Sequence, residues 1–470
     1  MNKQLSSLFL LLLIVLPLQA IELNVRDLGA KGDGKHLDHV AINQAIDSCV
    51  AQGGGRVVVP SGRYLCGSIR LKSHVELHLE AGAVIVAAPA SMKTYDESEP
   101  FEGPEYQDGG HTYFHNSLIW ADGQTNIAIT GQGMIDGEGL TRKDTERSGQ
   151  VQGGSIGTGD KAVALKCCRQ VLLRGHFGVI RTGCEFVNID NLPIDTNRDG
   201  IDIDCCKFVS VTNSKINTPH DDALVLKSSY ALKKPVACEE VMISNCLVTG
   251  YKLGTLLDGT RQPEKVNWVC GRIKLGTESN GGYRNITITN CTCLWSSGLA
   301  FEEVDQGRME NITVSNITME HVHHYPIYVT TGCRNRGPRE RKDISYGGNI
   351  QLSNIIATDV DSLAGIILTG MPGKPLRNIS LSNIYIEYRG GGTKEQAARP
   401  YPELGKMYPE PGKFLGPTPA YGLYARHVDS LKLNNVEFAL KKPDERPMIV
   451  LDDVKNEMIN MSTKTTKQQQ

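Results

Sequence analysis

The chain is poor in aromatic residues, carries almost no surplus charge, and after residue 18 has no apolar run of membrane-spanning length. Each shortage excludes something. With 50 Lys and Arg against 52 Asp and Glu, the formal net charge is −2, which gives no support for nucleic-acid binding, since that usually needs a basic face. No further apolar segment reaches the roughly 20 residues that a helix needs to span a bilayer, so no membrane span is expected. No Cys-x-x-Cys pair occurs and the histidines lack ligand spacing, so neither a metal nor a cofactor is expected. Glycine, by contrast, is frequent at 49 residues, which together with few aromatics suits a fold of many short strands and tight turns.

Residues 1–20 have the pattern of an export leader: Lys3, an apolar run from Leu8 to Leu18, and Leu18-Gln19-Ala20 as a small-residue cleavage site. The expected location is therefore the periplasm or the exterior. Thirteen cysteines, in an exported chain, would ordinarily suggest disulfides. Here Cys167-Cys168 and Cys205-Cys206 are vicinal, and neighbours on a strand point to opposite faces. Cys246, Cys270, Cys291 and Cys293 lie in or beside apolar strand patterns. Cysteine as a small buried core residue is the better reading.

A short phrase recurs. It reads Val-Ser-Val-Thr-Asn-Ser at 209–214, Val-Met-Ile-Ser-Asn-Cys at 241–246, Ile-Thr-Ile-Thr-Asn-Cys at 286–291 and Ile-Thr-Val-Ser-Asn-Ile at 312–317. Further copies begin at Ile350, Ile379 and Leu431, with a first copy at Ile127. β-Branched residues in alternation, then an Asn that tolerates left-handed backbone, describe a strand and a bend. Recurrence every few tens of residues describes a solenoid whose strands stack in parallel, with the Asn side chains forming an amide ladder. An antiparallel sandwich would lack a fixed phrase at equivalent turns. The Asn-x-Ser/Thr matches at Asn285 and Asn311 read as part of this repeat rather than as glycosylation sites.

Before the repeats, Asp38 to Val50 shows helical spacing of Val40, Ile42, Ala45, Ile46 and Cys49, closed by Gly53-Gly54-Gly55. Such a helix would cover the open end of the solenoid. Residues 96–115 and 390–421 break the repeat as long loops of the kind that shape a binding groove. One β-helix domain over residues 21–455 is expected, followed by a frayed polar tail over 456–470.

The densest acidic cluster runs from Asp195 to Asp204, and Pro219-His-Asp-Asp-Ala follows. Asp199 and Asp221 are 221 − 199 = 22 residues apart, about one coil. Strands stacked at about 4.8 Å let Asp199 converge with Asp221 and Asp222. Crowded carboxylates raise at least one pKa, and a protonated carboxyl beside ionised ones is what glycosidic cleavage requires. Both members of an adjacent pair reach one cleft only if the chain bends, and Pro219 favours a bend. Asp195 and Asp204 read as solvated turn residues, and Asp202 as structural. About two coils on, Gly271-Arg-Ile-Lys places Arg272 and Lys274 on one side of a strand, as structural ion pairs or as holders of a substrate carboxylate. Arg334, Arg336 and Arg339 read as a solvated loop. Glu302, Glu303 and Asp305 could reach the groove, while His111 and His115 belong to the first long loop.

Asn197-Arg-Asp-Gly-Ile-Asp, Asp221-Asp222 and Arg272-Ile-Lys274, in this order and spacing, resemble glycoside hydrolase family 28, the polygalacturonase and rhamnogalacturonan hydrolase family. The opening Leu28-Gly-Ala-Lys-Gly-Asp-Gly is similar to the start of its bacterial members. The resemblance implies an all-β, right-handed parallel β-helix of the pectin-lyase-like kind, and metal-independent, inverting hydrolysis of a pectic polysaccharide or oligosaccharide. It makes Asp221 the general acid. Asp199 and Asp222 position and activate water, Asn197 belongs to the binding motif, and Arg272 with Lys274 hold a galacturonate carboxylate. Arg198 stands where family members have Thr. Gly250-Tyr-Lys-Leu-Gly254 stands where they carry Gly-His-Gly, which leaves Tyr251 and Lys252 to take the place of the histidine. Val171 to Val187 is several residues short. The long loops favour exo-action. Two rivals remain: a β-helix lyase using calcium, and a non-catalytic carbohydrate-binding solenoid.

Overall fold

The computed structural model describes residues 21–100, 114–137, 140, 161–175, 179–265, 268–338, 340–341 and 345–461. The expected leader, His111 and Arg339 lie outside the described residues. What is described is a parallel β-helix, in which every pairing between strands is parallel.

The repeated phrase sets the register. Val209 lies opposite Val241, Val241 opposite Ile286, and the same column continues through Ile312, Ile350, Ile379 and Leu431. Upstream it passes through Val187 and Val171 to Ile127. All ten side chains are buried. The coils differ widely in length, yet each returns to the same column, because a one-residue slip would turn the apolar side chains outward.

The expected amide ladder is present twice. Asn290, Asn316, Asn354, Asn383 and Asn435 pass hydrogen bonds of 3.0–3.1 Å from coil to coil. Asn285, Asn311, Asn349 and Asn378 form a second row at the strand starts, with bonds of 3.0–3.2 Å. Every one of these asparagines has φ between 53° and 59°, the left-handed region that Asn visits more readily than other non-glycine residues. The Asn-x-Ser/Thr matches are thus accounted for by the bends.

The helix spans His39–Ala51 and buries Ala41, Ile42, Ala45, Ile46 and Cys49 against the first coils. Val40 departs from the expectation: it is 55 % exposed, because it falls on the outer face of the helix. The Asp38 carboxylate accepts the Lys31 and Gly32 N–H groups at 2.6 and 3.0 Å, which folds the Gly-Ala-Lys-Gly loop onto the cap. At the other end the sheet runs past residue 455: Met458–Met461 pairs with the long strand Leu423–Leu440, so the boundary expected at 455 falls inside the fold.

All thirteen cysteines are free, and eleven are buried. Cys167 is exposed and Cys168 buried, as alternation requires, whereas Cys205 and Cys206 are both buried. The short stretch near Val171 is a short coil. Val163 pairs with Val179, 179 − 163 = 16 residues on, whereas Val179 pairs with Ile201, 201 − 179 = 22 residues on. Among the described residues of this coil the strands are Val163–Lys166 and Arg169–Leu173, ahead of Val179–Thr182 in the next coil.

Candidate active site

Three adjacent strands of one face carry the site. Ile201–Asp204 pairs with Leu224–Ser228, which pairs with Ile273–Ser279. Asp199, Asp221, Asp222 and Arg272 all stand just before these strands, where the chain turns in from the preceding corner. Asp221 and Asp222 therefore escape the alternation of a regular strand. Pro219 and His220 form a turn, the Thr218 hydroxyl donates to the Asp221 carbonyl at 2.8 Å, and the Asp222 N–H donates to the Asp221 carboxylate at 3.1 Å. The Gly200 N–H donates to the Asp222 carbonyl at 3.0 Å and locks the two coils together. Arg272 lies one coil from Asp222, not two, because residues 250–271 are a long excursion within a single coil.

Carboxylate oxygens of Asp199, Asp221 and Asp222 all lie within 4.8 Å of one another. Their surroundings drive them apart in proton affinity. Burial alone would raise Asp199, but the buried Lys227 ammonium 2.8 Å away, together with a hydrogen bond to Asp221, holds it well below the usual carboxylate range. Burial likewise opposes ionisation of Asp222, and Arg272 at 2.5 Å with Lys274 at 3.3 Å outweighs it, so Asp222 is held low. Asp221 has no such buried partner. Burial and the negative charges of Asp199 and Asp222 push it far up, against the opposing pull of Arg198 at 3.1 Å. One carboxylic acid thus stands between two carboxylates. Asp221 and Asp199 remain partly accessible, at 23 % and 15 % of side-chain area, while Asp222 at 5 % is enclosed.

Other residues depart from the sequence reading. Asp204 is fully buried and accepts the Ser229 N–H at 2.7 Å, so it is no solvated turn residue. Asp195 accepts the Gly254 and Leu256 N–H groups at 3.0 and 3.1 Å and so pins the 250–263 excursion. Asp202 is structural as expected, 2.9 Å from Lys227. Tyr251 is buried and bridged to Pro263; its neighbouring charges are Arg261 and Glu320, not the aspartates. Lys252 is exposed, its N–H held by the Gln262 carbonyl. Neither meets the carboxylate cluster. His220, next to Asp221 in sequence, bonds the exposed Asn197 side chain through Nδ1 and lies 3.7 Å from Glu264 through Nε2. Arg272 and Lys274 are buried and paired within the protein, Lys274 with Glu302 at 3.5 Å as well as with Asp222. The Arg334 side chain is covered and paired with Asp305, and Arg336 faces Glu278 at 3.5 Å, so neither reads as a free polyanion site. Glu303 turns inward to the Gly307 N–H at 2.8 Å, and His115 stacks on Trp120.

Several residues of the site had no sequence signal. Lys227 sits inside a strand that reads as plain apolar alternation. Tyr325, Tyr408 and Glu410 arrive from distant coils and from the 390–421 loop. The Tyr325 hydroxyl and the Glu410 carboxylate both bond Arg272, and the Tyr408 ring lies 5.9 Å from the Lys274 ammonium.

A family model described as "Rhamnogalacturonase A/epimerase, pectate lyase-like" matches residues 23–155, the first coils. An exopolygalacturonase of Platanus acerifolia is 24 % identical over 400 residues, covering 78 % of this chain and 91 % of that one. A probable polygalacturonase of Vitis vinifera is 24 % identical over 387 residues, covering 77 % and 73 %. These matches bear out the family resemblance read from the sequence. Among solved structures, an exopolygalacturonase from Thermotoga maritima aligns with a TM-score of 0.64 at 22 % identity, over 90 % of this chain and 93 % of that one. A family 28 exopolygalacturonase from Yersinia enterocolitica aligns at 0.68 and 20 % identity, over 95 % and 79 %. At that identity they establish the fold, the right-handed parallel β-helix.

Proposed function

We propose that this chain is a family 28 glycoside hydrolase that cleaves galacturonate-containing bonds of a pectic polysaccharide, with Asp221 as general acid and Asp199 and Asp222 activating water. The observation that carries the reading is the split in proton affinity among three carboxyls within 4.8 Å. Asp221 would give its proton to the leaving glycosidic oxygen. Water held by the two ionised carboxylates would attack the anomeric carbon and lose its proton to them. Lys227, Arg272 and Lys274 keep those two bases ionised. The four cations at hand (Arg198, Lys227, Arg272 and Lys274) also neutralise the cluster, which speaks against the calcium-dependent lyase, since a calcium site needs surplus negative charge.

Three finer points belong to the same proposal. Exo-action is the finer reading that a partly closed groove favours, and the contacts of Glu410 with Arg272 and of Tyr408 with Lys274, which bring the 390–421 loop onto that side of the cluster, support it. Inversion follows the family resemblance. The nearest oxygens stand closer than the roughly 6.5–9.5 Å usual for inverting pairs, so the water must sit between Asp199 and Asp222 rather than opposite a single distant base. Export rests on the leader-like pattern of residues 1–20.

The test is Asp221→Asn. It should abolish release of reducing ends from pectic oligosaccharides while circular dichroism and the thermal midpoint stay as in the wild type. Retained turnover would overturn the assignment of the acid, and products absorbing as unsaturated uronates would favour the lyase.

A further inference from the structure

The guanidinium of Arg272 has its fork already filled. Nη1 and Nη2 donate to the two carboxylate oxygens of Glu410 at 3.1 and 2.9 Å, Nε donates to Asp222 at 2.5 Å, and Nη1 also bonds the Tyr325 hydroxyl. A paired contact of this kind, two parallel N–H···O bonds, is how Arg reads a carboxylate of any origin. Glu410 is 4 % exposed and comes from a segment 138 residues away in sequence. Its position is fixed by its surroundings. The Tyr325 hydroxyl donates to Glu410 Oε1 at 3.3 Å, and the turn Pro411–Leu415 begins directly after it. Gly412 in that turn packs against His324 and Trp268 so closely that an added Cβ would stand 2.6 Å from the His324 ring. The neighbouring cation, Lys274, is satisfied by Asp222 and Glu302 and lies beside the Tyr408 ring.

We propose that Glu410 is a specificity-determining residue: its carboxylate stands in for the uronate carboxylate at Arg272, so the sugar unit bound on that side of the scissile bond is a neutral one. This rests on the hydrolytic reading of the site above. A uronate placed there would meet the Glu410 and Asp222 carboxylates with no free donor pair on Arg272, a like-charge juxtaposition that selects against it. A deoxyhexose or other uncharged sugar meets no such penalty. The favoured substrate is then one in which galacturonate alternates with a neutral residue, rather than an unbroken galacturonan.

The experiment compares kcat/KM of the wild type, E410A and E410Q on two defined series: galacturonan oligosaccharides, and oligosaccharides alternating galacturonate with rhamnose. The wild type should prefer the alternating series by about tenfold or more, the scale of one misplaced charged hydrogen bond. E410A should narrow that preference by raising turnover of the galacturonan series. E410Q, which keeps the shape and removes the charge, should do so in part and guards against a folding defect in E410A. A wild type that prefers galacturonan, or variants that lose both activities in proportion, would overturn the proposal. Calorimetric binding of trigalacturonate to D221N and to D221N/E410A separates the two claims. Tighter binding by the double variant supports the role of Glu410 whatever the activity, and a wild type that hydrolyses neither series sinks the hydrolase reading alone. Equal binding by both sinks the role of Glu410.

Discussion

Replacing Lys227 by methionine removes a buried ammonium and little volume. Its Nζ lies 2.8 Å from Asp199, 2.9 Å from Asp202 and 4.0 Å from Glu278, with 11 % of the side chain accessible. Two effects follow from one change. Removing one partner of a buried ion pair costs about 3–5 kcal/mol, because the charges left behind keep their desolvation penalty without their compensation. With two carboxylates losing the same ammonium, the upper part of that range is expected, read as a lowered denaturant or thermal midpoint. The second effect is on the reaction. Asp199 is held low by Lys227, and as a base it must be ionised, so activity falls as pH drops through its pKa. Without the ammonium, burial is opposed only by the Asp221 hydrogen bond and the more distant Arg198, so Asp199 rises and the acid limb of the kcat/KM profile should move to higher pH. Asp199 would then compete with Asp221 for the proton, which flattens the maximum. The assay is reducing-end release across the pH range, for wild type and K227M, at a temperature where both remain folded. An acid limb that stays in place while stability falls would refute the claim that Lys227 sets the protonation of Asp199.

Arg198→Thr removes a cation 3.1 Å from Asp221 that opposes the elevation of its pKa, so the basic limb of the same profile should move to higher pH. The displacement should be modest, because 60 % of the Arg198 side chain is in water. Asn316→Ala breaks the bonds to Asn290 and from Asn354 and places Ala at φ 57°, and should cost about 2–3 kcal/mol by denaturant titration; Asn316→Gly, which relieves the backbone, should cost less. NMR of the earliest product should show the anomeric configuration opposite to that of the substrate bond, and a retained configuration would contradict the role given to the Asp199–Asp222 pair.

The solenoid was legible because its physics is local. Alternation of period two followed by Asn occurs in every copy from Val209 on, with Gly131 in the place of the Asn in the copy at Ile127, and it is the pattern that a bent, one-sided strand requires. Even the copy missed upstream, Val187-Asn-Ile-Asp-Asn191, obeys it, with Asn191 at φ 56°. Asp199, Asp221 and Asp222 were legible because coil periodicity turns sequence distance into spatial distance. That conversion fails wherever a coil carries an excursion. Arg272 was placed one coil too far for this reason. Glu410 sits in a stretch without any period and gave no sign of pairing with a residue 138 positions earlier. Lys227 and Asp204 were hidden differently: on a strand buried on both faces, alternation no longer tells which charged side chain looks into the cleft.

The short coil divides the molecule mechanically. On the face occupied by Met134–Asp136 and by Pro193–Asp195, the described strands pair only away from one another, the first with Val84–Val86 and the second with Lys215–Asn217. Between them a coil of 179 − 163 = 16 residues stands where the next takes 201 − 179 = 22. In a one-dimensional stack each coil is steadied only by its neighbours, so a shortened coil offers less surface to the coils on either side of it. The capping helix lies on one side of that coil and the aspartates on the other, with the two amide ladders further along the same side. The chemistry therefore stands on the longer arm of the stack, away from the capped end.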